Sequence, residues 1–187
     1  MANDFLNSNK IYLSYFKDNI HLVDLYVRWM SDYEALCNTG SGISVYNREI
    51  VIRMFQEWLR DVNSKKFFIY HKELGIPIGD LELNLASDLV KYPGKEAEFG
   101  ILIGEPKFRN NGYGKEATIL ALKYGFNFLR LDSICLQVYQ DNTRAISLYS
   151  SLGFIETKKE NVIHPHTKER SQEITMKLDK GNFRDKL

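Results

Sequence analysis

The stretch from Ala97 to about Leu129 constrains the fold most, because a strand pattern there passes into a long helix pattern through a loop with two glycines. Ala97–Ile103 is apolar and strand-like, and apolar residues recur at helical spacing from about Gly112 onwards. The loop between them contains Arg109-Asn110-Asn111-Gly112-Tyr113-Gly114. A glycine turn that begins a helix leaves backbone N–H groups free, and these carry partial positive charge. The stretch therefore predicts an anion site that suits a phosphate or a diphosphate.

Two other interpretations of the loop are possible. Arg109 and Lys115 would add positive charge to the amides of Asn111 to Lys115, but Gly and Asn are also common in simple strand-to-helix turns. The residues Gly112-x-Gly114-x-x-Ala117, with Asp132 twenty positions after Gly112, loosely match a dinucleotide-binding fingerprint. Asp132 precedes the next strand instead of ending it, and too little chain remains for several more βαβ units. These two facts argue against a dinucleotide fold.

The remaining pattern predicts one α+β domain with a mixed sheet and no repeats, as a chain of 187 residues allows. Its core spans about 9–179, and a polar tail follows. Helix caps are predicted at Asp18, Asn47 and Asn142, a loop at 39–42, and a helix stop at Gly153. In the long helix, the positions expected to face inward are Ala117, Leu120, Ala121, Tyr124 and Phe128. Strands are predicted at 10–16, 66–70, 76–85, 97–103, 133–138, 154–157 and 172–178, and helices after 18, after 47, at 112–129 and at 143–152.

Composition argues against several classes of function. A net charge of +1 leaves no excess to bind nucleic acid or an anionic membrane, and no stretch approaches the roughly 18 apolar residues that span a bilayer. The polar N-terminus does not resemble a signal peptide, and two distant cysteines suit a reducing cytoplasm. His164-Pro165-His166 has no third ligand nearby in sequence, so we expect a loop there and no metal site.

Further stretches along the chain resemble those of one enzyme family. They are Ala97-Glu98-Phe99-Gly100-Ile101, Tyr124-Gly125-Phe126, and Val138 to Phe154 with the sequence VYQDNTRAISLYSSLGF. Together with Arg109-x-x-Gly112-x-Gly114, they resemble the motifs of the GNAT N-acetyltransferases over about a third of the chain. Gly79-Asp80-Leu81-Glu82-Leu83 is similar to the preceding hairpin of that family. The most similar subgroup contains ribosomal-protein N-terminal and spermidine acetyltransferases.

The resemblance implies the GNAT fold, with a mixed, mostly antiparallel central sheet flanked by helices. It also implies acetyl-CoA as co-substrate, no metal, and direct attack of a primary amine in a ternary complex. The backbone of Leu102, Ile103 and Gly104 would pair with the pantetheine arm. Asn142 would contact that arm, or it would only cap its helix. The pyrophosphate would be held by Arg109, Asn110, Asn111, Gly112, Tyr113, Gly114 and Lys115.

The resemblance also implies catalytic roles for two residues. Glu98 occupies the position of a general base, and Glu82 on the adjoining strand is the second candidate. Tyr149 matches the tyrosine that protonates the leaving sulfur, and Tyr139 could replace it. Trp29 and Trp58 would belong to the core or wall the acceptor pocket. A CoA-binding sensor without turnover is the alternative to an enzyme.

The acceptor is the least determined part of the prediction. Acidic residues at Asp80, Glu82, Glu96 and Glu98 indicate a cationic acceptor. A polyamine, a peptide N-terminus, an aminoglycoside and an amino sugar all fit. The acceptor would thus be a small-molecule or peptide amine, and a homodimer stays open.

Overall fold

The computed structural model describes residues 6–17, 20–37 and 45–185. Within these residues, seven strands form one mixed, mostly antiparallel sheet with helices on both faces, as predicted. The strands are β1 (Ile11–Tyr15), β2 (Ser64–His71), β3 (Pro77–Asn84), β4 (Glu96–Leu102), β5 (Ser133–Tyr139), β6 (Ile155–Ile163) and β7 (Arg170–Asp179). The helices are α1 (Val23–Met30), α2 (Tyr33–Cys37), α3 (Arg48–Arg60), α4 (Tyr113–Lys123) and α5 (Thr143–Leu152).

The sheet has the strand order β1-β2-β3-β4-β5-β7-β6, and β4 and β5 form its parallel pair. Their pairing covers three positions, from Glu96 opposite Ser133 to Glu98 opposite Cys135. Beyond these positions, both strands continue without pairing to each other in the described residues. The sheet therefore opens between the C-terminal halves of its two central strands.

The two faces of the sheet pack against different helices. On one face, Leu81 and Phe99 belong to a core cluster with Ala117 and Leu120 of α4. On the other face, Phe68 of β2 packs with residues of α1 and α3 in a second cluster. Because side chains alternate along a strand, Glu82 of β3 and Glu98 of β4 share this second face. Glu82 and Glu98 are only partly buried there and line a cavity.

Three local predictions are confirmed by the helix ends. The Asn47 side chain accepts a hydrogen bond from the Ile50 amide (2.9 Å), and the Asn142 side chain accepts one from the Ala145 amide (3.2 Å). Gly153 ends α5 with a φ of 105°, and a Cβ there would lie 2.2 Å from the Asn182 carbonyl oxygen. Both the backbone angle and the close contact require glycine.

The long helix differs from its prediction in its last turn. α4 ends at Lys123, and a π-helical turn, Tyr124–Phe128, follows. A π turn contains more residues than an α turn, so it shifts the direction of the side chains that follow. Phe128, predicted to face inward, is 46% exposed as a result. The other four predicted inward positions are buried.

The segment after Asp179 is not the simple polar tail that was predicted. Phe183 lies 5.7 Å from the ring of Phe126, and the Arg184 amide donates to the Leu152 carbonyl (3.0 Å). The cap at Asp18 and the loop at 39–42 lie outside the described residues. Among the described helices, none has the length and apolarity needed to cross a membrane.

Candidate active site

The opening between β4 and β5 leads into a cavity of about 710 Å³. Its walls come from β3, β4, β5 and β7, from the loop before α4, and from helices α1 to α5. Ten of the thirteen predicted site residues line it: Glu98, Leu102, Ile103, Arg109, Asn110, Gly112, Gly114, Lys115, Asn142 and Tyr149. The structure therefore brings together residues that are up to 51 positions apart in sequence.

Gly104, Asn111 and Tyr113 do not line the cavity. A Cβ at Gly104 would lie 2.1 Å from the ring of Trp29, so this glycine lets α1 approach the end of β4. The Asn111 side chain donates to main-chain carbonyls within the loop, and the Tyr113 hydroxyl lies 3.0 Å from the Nε2 atom of His71. The side chains of Asn111 and Tyr113 thus hold the loop in shape.

The backbone of the glycine loop forms an anion-binding geometry. Asn110 and Gly112 adopt positive φ angles of 64° and 86°. The Arg109 amide donates to Pro106 and the Glu116 amide donates to Gly112. Within the described part of the chain, none of the amides at 110–115 has a backbone acceptor. Free N–H groups at the beginning of a helix fit the oxygens of a diphosphate.

The side chain of Arg109 has a role that differs from the expected one. Its guanidinium donates to the carbonyl oxygens of Ile103 and Gly104, both at 2.9 Å. It also pairs with Asp32 (2.9 Å) and Glu34 (3.1 Å), and the side chain is only 11% exposed. These contacts use most of the N–H donors of the planar guanidinium group. Arg109 therefore joins the end of β4 to α2, and four of its five N–H donors are used in these contacts.

Two other cations lie at the loop and line the cavity. Lys115 is exposed at the first turn of α4, and Arg144 lies on the first turn of α5 and hydrogen-bonds the Asn110 side chain. Arg144 was not among the predicted site residues. A basic residue on a first helical turn is opposed by the helix dipole, unless an anion lies nearby. The unfavourable position of Arg144 is therefore the sequence signal that could have identified it as a site residue.

Tyr149 is buried in the cavity wall on α5, with 8% exposure. Its ring lies 6.5 Å from that of Phe99 and 5.6 Å from that of Phe154. Its hydroxyl has no hydrogen-bond partner among the described residues, and burial raises the pKa of Tyr149 to about 12. Tyr149 is therefore protonated at neutral pH and able to donate. Tyr139 lines the same cavity, and burial followed by the charges of Glu173 and Asp141 raises its pKa as well.

The two candidate bases differ in their partners. Glu98 lines the cavity and has neither a hydrogen bond nor an ion pair with any described residue. Glu82 forms an ion pair with Lys66, whose ammonium also lies 4.7 Å from the ring centre of Trp58. A carboxylate without a partner accepts a proton more readily than one held by an ammonium group. The geometry therefore favours Glu98 over Glu82 as a base.

Glu96 does not belong to the group of acids that face the cavity. Its carboxylate bonds the Lys177 ammonium (2.6 Å), the Ser133 hydroxyl (2.9 Å) and the Lys91 and Tyr92 amides. Burial opposes ionisation, but these donors together lower the pKa of Glu96 to about 2. Glu96 therefore stabilises the beginning of β4.

Asp80 was predicted only as one of several acids near the acceptor, and it lines the cavity. Its Oδ1 atom is fully buried and has no hydrogen-bond partner among the described residues. Burial raises the pKa of Asp80 to about 7, although the nearby charge of Lys66 opposes the shift. Because side chains alternate along a strand, Asp80 lies on the same face of β3 as Glu82. The sequence could therefore predict the face on which Asp80 lies, but not how deeply its side chain is buried.

Large side chains from the helical layer also line the cavity. They come from α1, from α3 and from the segment before α3: Tyr26, Met30, Tyr46, Met54 and Trp58. Trp58 is therefore a wall residue, whereas Trp29 is fully buried in the core. The cavity thus combines an apolar wall with carboxylates on the sheet.

Residues 10–155 match the family described as "Acetyltransferase (GNAT) domain". The chain belongs to the GNAT family. The N-acetyltransferase 9-like protein of Nematostella vectensis is 30% identical over 184 residues, which cover 95% of this acetyltransferase and 87% of that relative. The alpha/beta-tubulin-N-acetyltransferase 9 of Drosophila melanogaster is 31% identical over 159 residues, with 79% and 78% covered.

The fold is shared with a solved spermidine N-acetyltransferase. The structure of the Vibrio cholerae enzyme with CoA and spermine has a TM-score of 0.80, an identity of 18%, and coverage of 94% of this chain and 98% of its own. In sequence, a spermidine N(1)-acetyltransferase of Vibrio cholerae matches 36% of this acetyltransferase, at 36% identity over 67 residues.

These matches confirm three predictions made from the sequence. The GNAT fold, the acetyl-CoA-dependent N-acetyltransferase activity and acetyl transfer to an amine are all supported by the family and its members. The dinucleotide-binding interpretation is wrong, because the strand order required for it is absent from the described sheet. The predicted roles of individual residues stay predictions.

Proposed function

We propose that this acetyltransferase transfers the acetyl group of acetyl-CoA to the α-amino group of a protein N-terminus. The apolar wall of Met30, Met54 and Trp58 carries the proposal, because it lines the same cavity as the unpaired carboxylate of Glu98. The N-terminal residue that carries a free α-amine also has a side chain, which such a wall would bury. The flexible thioethers of Met30 and Met54 can adapt to N-terminal side chains of different shapes. The relatives that match most of the chain, including the tubulin N-acetyltransferase of Drosophila melanogaster, support a protein acceptor.

The residues around the β4–β5 opening fit acetyl-CoA. The amides at 110–115 would hold its diphosphate, and Lys115 and Arg144 would balance the charge. The edge of β4 that faces β5 without pairing, at Leu102 and Ile103, would bind the pantetheine arm, with Asn142 nearby. The Ile103 carbonyl is occupied by Arg109, so backbone amides are the better candidates. Bound acetyl-CoA would supply an acyl thioester, which amines attack readily.

Glu98 would act as the general base. An amine is a nucleophile only when it is neutral, and most α-amines are largely protonated near neutral pH. The carboxylate of Glu98 faces the cavity without a partner, so it can accept the proton that the amine releases. Loss of this carboxylate should lower turnover and leave the binding of acetyl-CoA unchanged.

Tyr149 would act as the general acid. Its hydroxyl is protonated at neutral pH and has no described partner that competes for its proton. It can therefore donate that proton to the sulfur atom that leaves the acetyl group. Tyr139 is the alternative donor on the same cavity, and separate Phe variants of the two tyrosines distinguish them.

A polyamine is the second candidate acceptor. Two carboxylates that line the cavity favour it. Glu98 has no hydrogen-bond partner among the described residues, and the Oδ1 atom of Asp80 has none either. A polyamine carries several positive charges and little apolar surface. It would therefore use the acids of the cavity and leave the apolar wall unused.

The acceptor is tested with purified protein, acetyl-CoA, a set of peptides with different first residues, and spermidine. Mass spectrometry locates the acetyl group on the product. We expect α-amine acetylation of peptides with an apolar first residue, and none of the same peptides with a blocked N-terminus. Turnover of spermidine alone would replace the first candidate with the second. Binding of acetyl-CoA with no turnover of any amine would instead support a CoA-binding sensor.

A further inference from the structure

Asp80 differs from the other acids around the cavity because one of its carboxylate oxygens is buried without a hydrogen-bond donor. Glu82 pairs with Lys66, Glu34 pairs with Arg109, and Glu96 pairs with Lys177 outside the cavity. The Oδ1 atom of Asp80 is buried and has no donor among the described residues. A buried carboxylate oxygen without a donor is energetically unfavourable, so such a group indicates that a ligand completes its hydrogen bonding.

The sheet register separates Asp80 from the proposed base. Asp80 lies opposite Leu102, and Glu98 is four positions before Leu102 on the same strand. At roughly 3.3 Å per residue, the two carboxylates are about 13 Å apart along the strand direction. One amine cannot contact both, and the acid between them, Glu82, is already neutralised by Lys66. The cavity therefore has two separate positions for positive charge.

We infer that Asp80 binds a second cationic group of the acceptor, an ammonium or a guanidinium, while the reacting amine lies near Glu98. The inference rests on the proposed amine acetylation and adds a requirement for a second charge at a fixed distance. The rings of Tyr26, Tyr46 and Trp58 line the same cavity and suit a cation as well as an apolar chain. Both a polyamine and a peptide with a basic residue near its N-terminus carry such a group.

The binding of this second cation should depend on pH. The titratable groups near Asp80 are Tyr26 from α1, Lys66 from β2 and Glu82 on the same face of its own strand. Tyr46, from the segment before α3, lies near Tyr26 and lines the same cavity. Burial raises the pKa of Asp80 to about 7, so the group is largely neutral at pH 6 and largely ionised at pH 8. Only the ionised form attracts a cation, so the preference for a second charge should increase over this range.

The test compares heptapeptides with a free N-terminal Met, in which a single Lys at position 2, 3 or 4 is exchanged for norleucine. A second pair of probes is 1,5-diaminopentane and pentylamine. Values of kcat/KM are measured at pH 6 and pH 8 for wild type, Asp80→Asn and the control Asp132→Asn, which is an exposed residue outside the cavity. Calorimetric binding of the same probes to the CoA-loaded protein gives a readout that does not need turnover. Thermal unfolding and acetyl-CoA binding identify any variant that fails to fold.

We expect wild type to favour the charged probe by about tenfold or more at one Lys position or in the diamine pair, and more strongly at pH 8 than at pH 6. Asp80→Asn should lose this preference and its pH dependence, whereas Asp132→Asn should keep both. Equal binding and turnover of charged and neutral probes by wild type would overturn the inference, and so would an unchanged preference in a folded Asp80→Asn protein. Preference for the diamine without peptide turnover would keep the inference and refute the peptide acceptor.

Discussion

Replacement of Arg109 by Met distinguishes a structural role of this residue from a role in holding phosphate. The variant keeps an aliphatic stem but removes the bonds to the carbonyls of Ile103 and Gly104 and the ion pairs with Asp32 and Glu34. The contacts with Glu34 are largely exposed and contribute little. The two bonds to carbonyls come from a charged donor, and each contributes about 1.5 kcal/mol.

We therefore expect Arg109→Met to lower the free energy of unfolding by about 3 kcal/mol. For a domain of this length, each kcal/mol corresponds to roughly 2–4 °C, so the melting temperature should fall by about 6–12 °C. Burial alone would raise the pKa of Asp32, but the hydrogen bonds from the Ala35 amide and from Arg109 outweigh this effect, and the pKa is lowered. Asp32 is therefore charged, and in Arg109→Met this charge loses its partner. Arg109→Lys keeps a charge without the planar fork and should recover only a small part of the loss.

Urea unfolding and acetyl-CoA titration of wild type, Arg109→Met and Arg109→Lys check this prediction. Arg53→Met serves as the control, because Arg53 is exposed on α3 and its only described ion pair is a long one with Glu49 (3.9 Å). A variant of full stability whose acetyl-CoA affinity falls tenfold or more would refute the reasoning. That result would mean that the guanidinium leaves these partners to hold the diphosphate.

Three further changes have defined expected results. Gly104→Ala places a methyl group 2.1 Å from the Trp29 ring and should destabilise the protein by about 1–3 kcal/mol in urea unfolding; unchanged stability would contradict this packing. The pKa of Glu96 is lowered from 4.5 to about 2, so the wild-type protein should lose stability as the pH falls from 4.5 to 2. Glu96→Gln should be less stable than wild type at pH 7, and its stability should decline less steeply over the acid range. Parallel curves of stability against pH for the two proteins would contradict the role of Glu96. The double variant Lys115→Gln/Arg144→Gln should weaken acetyl-CoA binding about tenfold at low salt and less at high salt; unchanged affinity would exclude these cations from the site.

The fold was largely predictable from the sequence, because its signals are local. Alternation on the strands, the cap at Asn47 and the glycine at 153 each act within a few residues. The π turn at 124–128 was not predictable, because it depends on long-range packing. A Cβ at Gly125 would lie 2.8 Å from Ile134, a residue of the following strand.

The site was predictable in its backbone and less so in its charges. The glycine loop follows from the positions of Gly112 and Gly114, and the structure leaves its amides free as expected. The acidic partners of Arg109, Asp32 and Glu34, lie more than 70 positions earlier in the chain, so the sequence could not reveal that its charge is paired. The burial of Asp80 likewise depends on helices that are distant in sequence.

The catalytic assignment of Glu98 and Tyr149 is tested most directly by turnover and cofactor binding in single variants. Glu98→Gln and Tyr149→Phe are compared with Glu156→Gln and Tyr92→Phe, whose side chains are exposed. General acid or base catalysis typically contributes a factor of 10² to 10⁴, so we expect kcat to fall at least about 100-fold in both variants. The dissociation constant of acetyl-CoA should stay within about twofold of wild type. Near-normal kcat in either variant would contradict the assignment of that residue.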